Sequence, residues 1–572
     1  MRALDWVVLS GTLFSIVAYG LYRGRGSNTV NAYLLAGKSM PWYAMALSIM
    51  ATQASAITFI STTAQGYADG IRFLQFYLGL PIAMVILAAT AVPIFHRANV
   101  YTAYEYLETR FDAKTRALVS AIFLIERGLA DGVALCAPAI VLTVVMGWPS
   151  HLTIVIMGAV VVAYTVVGGI KAVTWTEVQQ MVIIFIGLAA ALITALWLLP
   201  RGVGVGDAFS LAGAVGKLKA IDLTFDLNNR YNIWSGLLGG TFLFLAYFGT
   251  DQSQVQRYLT GKSIAQSRLS LLFNAVAKIP MQFLILVTGA MVFVFFIYER
   301  PPLLFDPVEL QRIQSDPAYP SVDQRYRGAF EERKRAAGEL VESHRSHDAA
   351  QHARSTAAFQ GAQKQLDQAR SDGVRMVEKA TGRGFTDTNY IFLSFVTHYM
   401  PAGIVGLIIA VIFVAATSST AAEVNSLATV SVIDIYRRHI RKDGSDRHYL
   451  WASRIASAFW GCYVVVFAEY ALHRLGSLIE AVNLVGSLFY GGMLGVFVLA
   501  FAFPRVRGTA AFTGVLAGEA AIFWAHFATQ ISFLWYNALG CIVVVLTGLA
   551  LSMVGQDSSP AAGLQTRPRA NL

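Results

Sequence analysis

The sequence predicts an all-α membrane protein with about thirteen transmembrane helices. Three observations carry that class. Hydrophobic residues make up 56% of the 572 and charged residues 14%, against roughly 25% charged in soluble domains, and the mean hydropathy is +0.54. Apolar runs of about 20 residues, the length of a bilayer-crossing helix, recur along the chain. The charge is also concentrated, with 27 of the 78 charged residues (14 Lys+Arg, 13 Asp+Glu) lying between 299 and 384. The formal +10 does not indicate nucleic acid, because the basic residues sit in short clusters between apolar runs, as membrane-loop charges do. Cys136, Cys462 and Cys541 lie in apolar stretches, form no disulfide or metal framework, and read as small core residues.

The first apolar run, LDWVVLSGTLFSIVAYGLYRGRG, has its positive charges at the far end and no small-residue cleavage site after it, so it reads as a retained span. Further spans are expected near 42–66, 71–95, 116–146, 150–168, 174–199 and 232–254, after the first at 4–22. Six more follow near 266–298, 402–435, 448–472, 477–503, 509–529 and 533–554. Alternate loops hold the basic residues, among them Arg23, Arg25 and Lys38; Arg97, Arg110, Lys114 and Arg116; Lys171; Arg257, Lys262 and Arg268; Arg437 to Arg447; and Arg505 and Arg507. The positive-inside rule makes those loops cytoplasmic, the N-terminus extracytoplasmic and the C-terminus cytoplasmic, in a multi-pass protein of the cell (inner) membrane. The block at 299–384 then falls outside. Its stretch from about 328 to 379 is rich in helix formers and predicts one helix or a helical hairpin exposed to water. His344, His347 and His352 lie there only loosely on one face, with no cysteine nearby, and read as solvated rather than zinc-binding.

Three spans carry polar groups that lipid does not tolerate. ATQASAITFISTTAQG (51–66) holds Thr52, Gln53, Ser55, Thr58, Ser61, Thr62, Thr63 and Gln65, more than interhelical packing ordinarily uses, and predicts a binding helix. In FLAYFGTDQSQVQRY (244–258), Gly249, Thr250 and Asp251 interrupt an aromatic helix; Asp251 either caps the inner helix end or marks an unwound site, and the two are compatible. In AATSSTAAEVN (415–425), the hydroxyls of Ser418 and Ser419 point about 100° apart and can flank one point between helices. Hydroxyl and carbonyl oxygens suit a small hard cation such as sodium, while back-bonding to the preceding turn is the plainer reading.

AYTVVGGIKAVTWTEVQQ (163–180), GTDQSQVQRYL (249–259) and SSTAAEVNSLATVSVIDIY (418–436) resemble the sodium:solute symporter family, which includes sodium/glucose cotransporters. The resemblance covers every proposed span. It implies the five-plus-five inverted-repeat core of sodium-coupled amino acid transporters, with 1–24 an extra N-terminal helix, 42–199 the first repeat and 231–504 the second. The insertion 299–384 falls inside the second repeat, 509–556 adds two C-terminal helices, and 557–572 is a cytoplasmic tail.

The resemblance also implies a sodium ion held by the carbonyls of Ala51, Ala54 and Ala415 and the hydroxyls of Ser418 and Ser419. Five uncharged oxygens suffice for sodium yet let it leave. A second ion, where relatives bind one, would need serines where this chain has Ala421 and Ala422, so one sodium per cycle is expected. Glu177 falls on the ion's exit path, or is simply a carboxylate at the interfacial start of a helix. Lys278, Tyr247 and Phe248 match positions that contact or gate sugar, and Asn483 replaces a longer amide. Thr58, Tyr77 and Phe244 replace two amides and a carboxylate, which weakens a hexose assignment, since an unpaired buried polar group costs about 1 to 3 kcal/mol. Lys278 would then meet a carboxylate, or snorkel to the interface. Arg127 and Asp131, four apart, are expected to pair on one helix face beside Glu126, and Glu423 takes no role.

These readings converge on a sodium-coupled secondary symporter that imports a small organic solute, a sugar or small carboxylate, by alternating access. The solute is expected near Gln53, Tyr247, Lys278 and Asn483. Its partners are the solute and the lipid bilayer. An enzyme would need a convergent nucleophile and base or a metal cluster within the spans. A transporter-like sensor would need an output domain, where the chain is expected to end in a short tail.

Overall fold

The computed structural model describes residues 1–24, 36–167, 170–346, 348–472 and 477–554. His347, Arg25 and the tail at 557–572 lie outside them. Among the described residues the architecture is helical, with a single isolated bridge between Met40 and Gly261.

In chain order, α1 (Ala3–Gly24) and α2 (Trp42–Gln53) lead into a break and a wide turn at Thr58–Thr62, then α3 (Thr63–Asp69). A tight turn at Gly70–Gly79 opens α4 (Leu80–Ala89) and α5 (Ala91–Ala98), which meet at Thr90, and α6 (Ala103–Arg110) is short. Three long helices follow: α7 (Ala113–Met146), capped by Asp112 and stopped by left-handed Gly147, α8 (Ser150–Val167) and α9 (Ile170–Trp197). Beyond α10 (Val205–Ala214), a second broken helix comprises Ser235–Gly239, α11 (Gly240–Gly249) and α12 (Gln252–Leu259). Then come α13 (Ile264–Tyr298), the polar helices α14 (Pro307–Ile313), α15 (Tyr319–Ser346) and α16 (Ala349–Thr381), and α17 (Ile391–Tyr399). Helices α18 (Ile404–Val430, extended by Ser431–Ile440), α19 (Asp446–Leu472), α20 (Leu478–Ala502), α21 (Gly508–Ala528) and α22 (Leu534–Val554) complete the bundle.

Among the described residues, ten helical stretches are long and apolar enough to cross a membrane. The thirteen expected spans reduce to them because Thr58–Ala98 forms one stretch across two expected spans, and two others appear as shorter apolar helices, Ser150–Val162 and Ser235–Gly249. The polar run at 51–66 is turned inward, with Thr52, Thr58, Ser61, Thr62, Thr63 and Gln65 all buried. At the α3–α13 crossing two glycines face each other's backbones: a Cβ on Gly289 would sit 2.0 Å from the Thr63 carbonyl oxygen, and one on Gly66 would sit 2.4 Å from that of Leu286.

The block at 299–384 forms the expected hairpin, but only one side of it faces water. Tyr326, Phe330, Leu366 and Val377 make a small core of their own with Leu303 and Leu304. Arg333, 1% exposed, donates to Gln363 Oε1 (3.0 Å) and to the carbonyl of Phe296 in α13. Gln360 reaches the Ala214 carbonyl (2.7 Å), Arg345 pairs with Asp207, and Arg370 pairs with Asp387 at 2.6 Å. His344 and His352 come together across the hairpin, rings 5.7 Å apart, with no group of three or more His, Cys, Asp or Glu among the described residues suited to a metal.

Two expectations need correction. Cys136 and Cys541 are buried, but Cys462 is exposed, on a helix that also exposes Ile455, Phe459 and Val466. Arg116 and Arg257, read as loop charges, are buried in ion pairs with Asp434 and Glu177. A count of basic residues near helix ends does not see a carboxylate brought in from another helix.

Candidate functional site

The first helix break and Ser419 line a cavity of about 80 Å³, which the second broken helix borders through Leu243, Phe244 and Tyr247. The first break follows α2: the amide of Ala54 donates to the Met50 carbonyl (2.7 Å) and the backbone then leaves the helix at φ −93°, ψ 55°. The carbonyls after Met50 therefore lie beyond the ladder. One of them, on Gln53, accepts from Thr58 Oγ1 at 3.0 Å. The second break is at Thr250. Asp251 caps α12, accepting from the amide (2.8 Å) and hydroxyl (2.7 Å) of Ser253, as the capping reading expects, while its other oxygen takes Arg127 and Tyr490.

Six of the expected residues line the cavity: Gln53, Thr58, Tyr77, Tyr247, Ser419 and Asn483, together with Phe244. Tyr77 stacks on Phe244 with ring centroids 5.7 Å apart, and Asn483 donates to the Ile479 carbonyl at 2.8 Å. Phe248 is not on the wall. Neighbouring residues on a helix point about 100° apart, so Tyr247 faces the cavity and Phe248 packs behind it, 4.8 Å between centroids. Lys278 is off the wall as well. It is fully buried in α13, 5.8 Å from the Tyr77 ring and without a hydrogen-bond partner, so it does not snorkel to an interface.

The charged groups on the wall are Arg127 and Glu423. Arg127 does not pair with Asp131 as expected. Its guanidinium is taken by Asp251 and Tyr490 (Nη2, 2.7 Å to the phenol) and lies 3.5 Å from Glu423 and 3.6 Å from Glu126. The helical spacing allowed the Asp131 pair, but carboxylates from α12 and α18 reach the guanidinium instead.

Ser418 and Ser419 diverge as adjacent helical positions do. Ser419 lines the cavity. The Ser418 hydroxyl contacts both ends of the Gln180 amide (3.0 and 3.1 Å) and lies 3.4 Å from the Ala415 carbonyl, which is the expected back-bonding contact. Three residues before Gln180 on α9, Glu177 accepts from Ser48, from Thr52 (3.2 Å) and from Arg257 Nη2 (3.0 Å), joining α2, α9 and α12. Glu177 is 0% exposed, so its carboxylate is held by these partners and not by solvent.

Sequence reasoning missed Gln180, Arg257 and the contribution of Glu423. The first two stand inside the quoted stretches TWTEVQQ and GTDQSQVQRYL, where a buried polar residue beside an acidic one was the available signal.

Comparison with known proteins agrees with this architecture. The family model for the sodium:solute symporter family matches residues 33–310 and 370–518, leaving most of the hairpin unmatched. The mouse sodium-coupled monocarboxylate transporter 1 is 27% identical over 532 residues, covering 92% of this chain and 74% of that protein. A rabbit sodium-dependent multivitamin transporter is 28% identical (91% and 70% covered), and a sodium/sialic acid symporter of Aliivibrio fischeri is 26% identical (95% and 92% covered). The solved structure of a substrate-bound, outward-open Na+-coupled sialic acid symporter superposes with a TM-score of 0.72 at 23% identity, covering 97% of this chain and 98% of that one. Broken helices around a buried polar cavity, the fold and the family match agree: the chain belongs to the sodium:solute symporter family.

Proposed function

We propose that this protein carries a small organic carboxylate across the membrane together with sodium, the carboxylate meeting Arg127 in the central cavity. The carrying observation is that Arg127 is the cationic side chain on the cavity wall, beside Glu423, the rest of the lining being aromatic, aliphatic and uncharged polar. Its Nη1, held only by a 3.5 Å contact to Glu423, has donor capacity left for a carboxylate. The role first given to Lys278 passes to it. Carboxylate and sialic acid carriers among the relatives support the same class.

Sodium is placed on the carbonyls of Ala51, Ala54 and Ala415 and the hydroxyls of Ser418 and Ser419, with Gln180 positioning Ser418. Glu177 and Arg257 close the route from that site to the cytoplasm, and their pair opens as the ion leaves. Rocking of the helix bundle releases both sodium and solute inside, with the N-terminus and the insertion outside and the C-terminus inside. Each sodium that enters down a membrane potential contributes about 2.3 kcal/mol per 100 mV. Uptake of a labelled short monocarboxylate into proteoliposomes tests this. Accumulation is expected with an inward sodium gradient, and Ser418→Ala is expected to raise the sodium concentration needed. Equal uptake with choline replacing sodium, or competition by hexoses and not by carboxylates, would overturn the reading.

A further inference from the structure

Four carboxylates, Glu126, Asp131, Asp251 and Glu423, surround the single guanidinium of Arg127 in the interior of the bundle. Arg127 contacts Asp251, Glu126 and Glu423. Asp131 is left over. It is 0% exposed, both its oxygens lack a hydrogen-bond partner, and it lies against Glu423 and Thr420 of α18. The Thr420 hydroxyl is likewise without a partner and 1% exposed. The register explains the meeting: Thr420 and Glu423 are three apart on one face of α18, and Asp131 follows Arg127 by one turn on α7, where Arg127 already touches Glu423. Two carboxylates and a hydroxyl thus converge, the Thr420 hydroxyl being the one neutral donor among them, in surroundings where unpaired charge is costly.

We propose that Asp131, Glu423 and Thr420 hold a second sodium ion, beside the one placed on Ser418 and Ser419. The donors are all hard oxygens, which suits an alkali cation. Arg127 is shared among Glu126, Asp251 and Glu423, so a bound cation offsets part of the excess negative charge at Asp131 and Glu423. Glu423 lines the cavity, so the ion enters from there and not from lipid. Where relatives place serines for a second ion this chain has Ala421 and Ala422, and the carboxylates supply oxygens from another direction. The site also gives the carboxylate solute a reason to travel with sodium: an anion added beside four carboxylates gains from a cation bound alongside. The proposal rests on the sodium-coupled reading of the same cavity.

The test needs no solute. Purified full-length protein is titrated with sodium chloride, choline chloride holding ionic strength constant, and both bound radioactive sodium and thermal unfolding are followed. The wild type is expected to bind about two sodium ions per chain and to be stabilised with a sigmoidal sodium dependence. Asp131→Asn and Thr420→Val should each bind about one and lose the sigmoidicity, and Ser418→Ala should also keep about one. Thr420→Val decides if Asp131→Asn does not fold. One ion per wild-type chain, lost in Ser418→Ala and kept in Asp131→Asn and Thr420→Val, overturns the second site and leaves the symport reading standing. Absence of sodium binding in the wild type overturns both.

Discussion

Arg257 reaches Glu177 across the bundle, Nη2 to Oε1 3.0 Å, with both side chains sealed from solvent. Truncating one partner leaves the other charge buried and uncompensated, a change that costs about 3 to 5 kcal/mol. Arg257→Ala is therefore expected to lower stability by about that much in detergent unfolding measurements. The double variant Glu177→Gln, Arg257→Met should recover most of the loss, since neither charge remains. Equal instability of the single and double variants would show that the pair does not carry the cost.

The α3–α13 crossing sets a second expectation. Gly289→Ala drives a methyl into the Thr63 carbonyl, 2.0 Å away, where no flexible side chain can yield. The helices must part, at a cost of about 1 to 3 kcal/mol. Gly328→Ala in exposed α15, with nothing within 4 Å, should instead stabilise by up to ~1 kcal/mol through helix propensity. Melting temperatures of the two variants should shift in opposite directions.

The base of the hairpin is pH-sensitive in a defined direction. Asp306 caps α14, accepting from the amides of Val308 (2.9 Å) and Glu309 (3.3 Å). Burial raises its carboxyl from 3.8 to about 6. The folded chain binds that proton more tightly than the unfolded one, so the contribution is complete below 3.8 and is lost as pH rises through about 6. Asp306→Asn keeps the acceptor and removes the charge. It should raise thermal stability at pH 7 relative to the wild type and converge with it near pH 4, read by hydrogen exchange across α14.

Much of this was legible in the sequence because it is local. Eight polar residues in one span cannot face lipid, and that alone marked the buried wall containing Gln53 and Thr58, while the break at Ala54 was placed through the family resemblance. Helix formers with few apolar residues announced the hairpin. What could not be read was pairing at a distance. Arg257 looks like a loop charge until Glu177, 80 residues earlier, is beside it, and Arg127 has a plausible neighbour in Asp131 until α12 brings Asp251. Lys278 was placed correctly inside a span, but a linear pattern does not say which neighbouring helix covers a given face, and α13 buries the face carrying Lys278 while exposing Leu269, Leu272 and Val276.

The Arg333 tether to Phe296 has a practical consequence. The hairpin is a pair of helices of 28 and 33 residues, roughly 40 to 50 Å long at 1.5 Å per residue, set beyond the apolar spans. That gives particle images of a largely featureless micelle an asymmetric landmark for alignment. Because the landmark is anchored to the last turns of α13, its tilt in sorted image classes reads out the movement of that helix without a label.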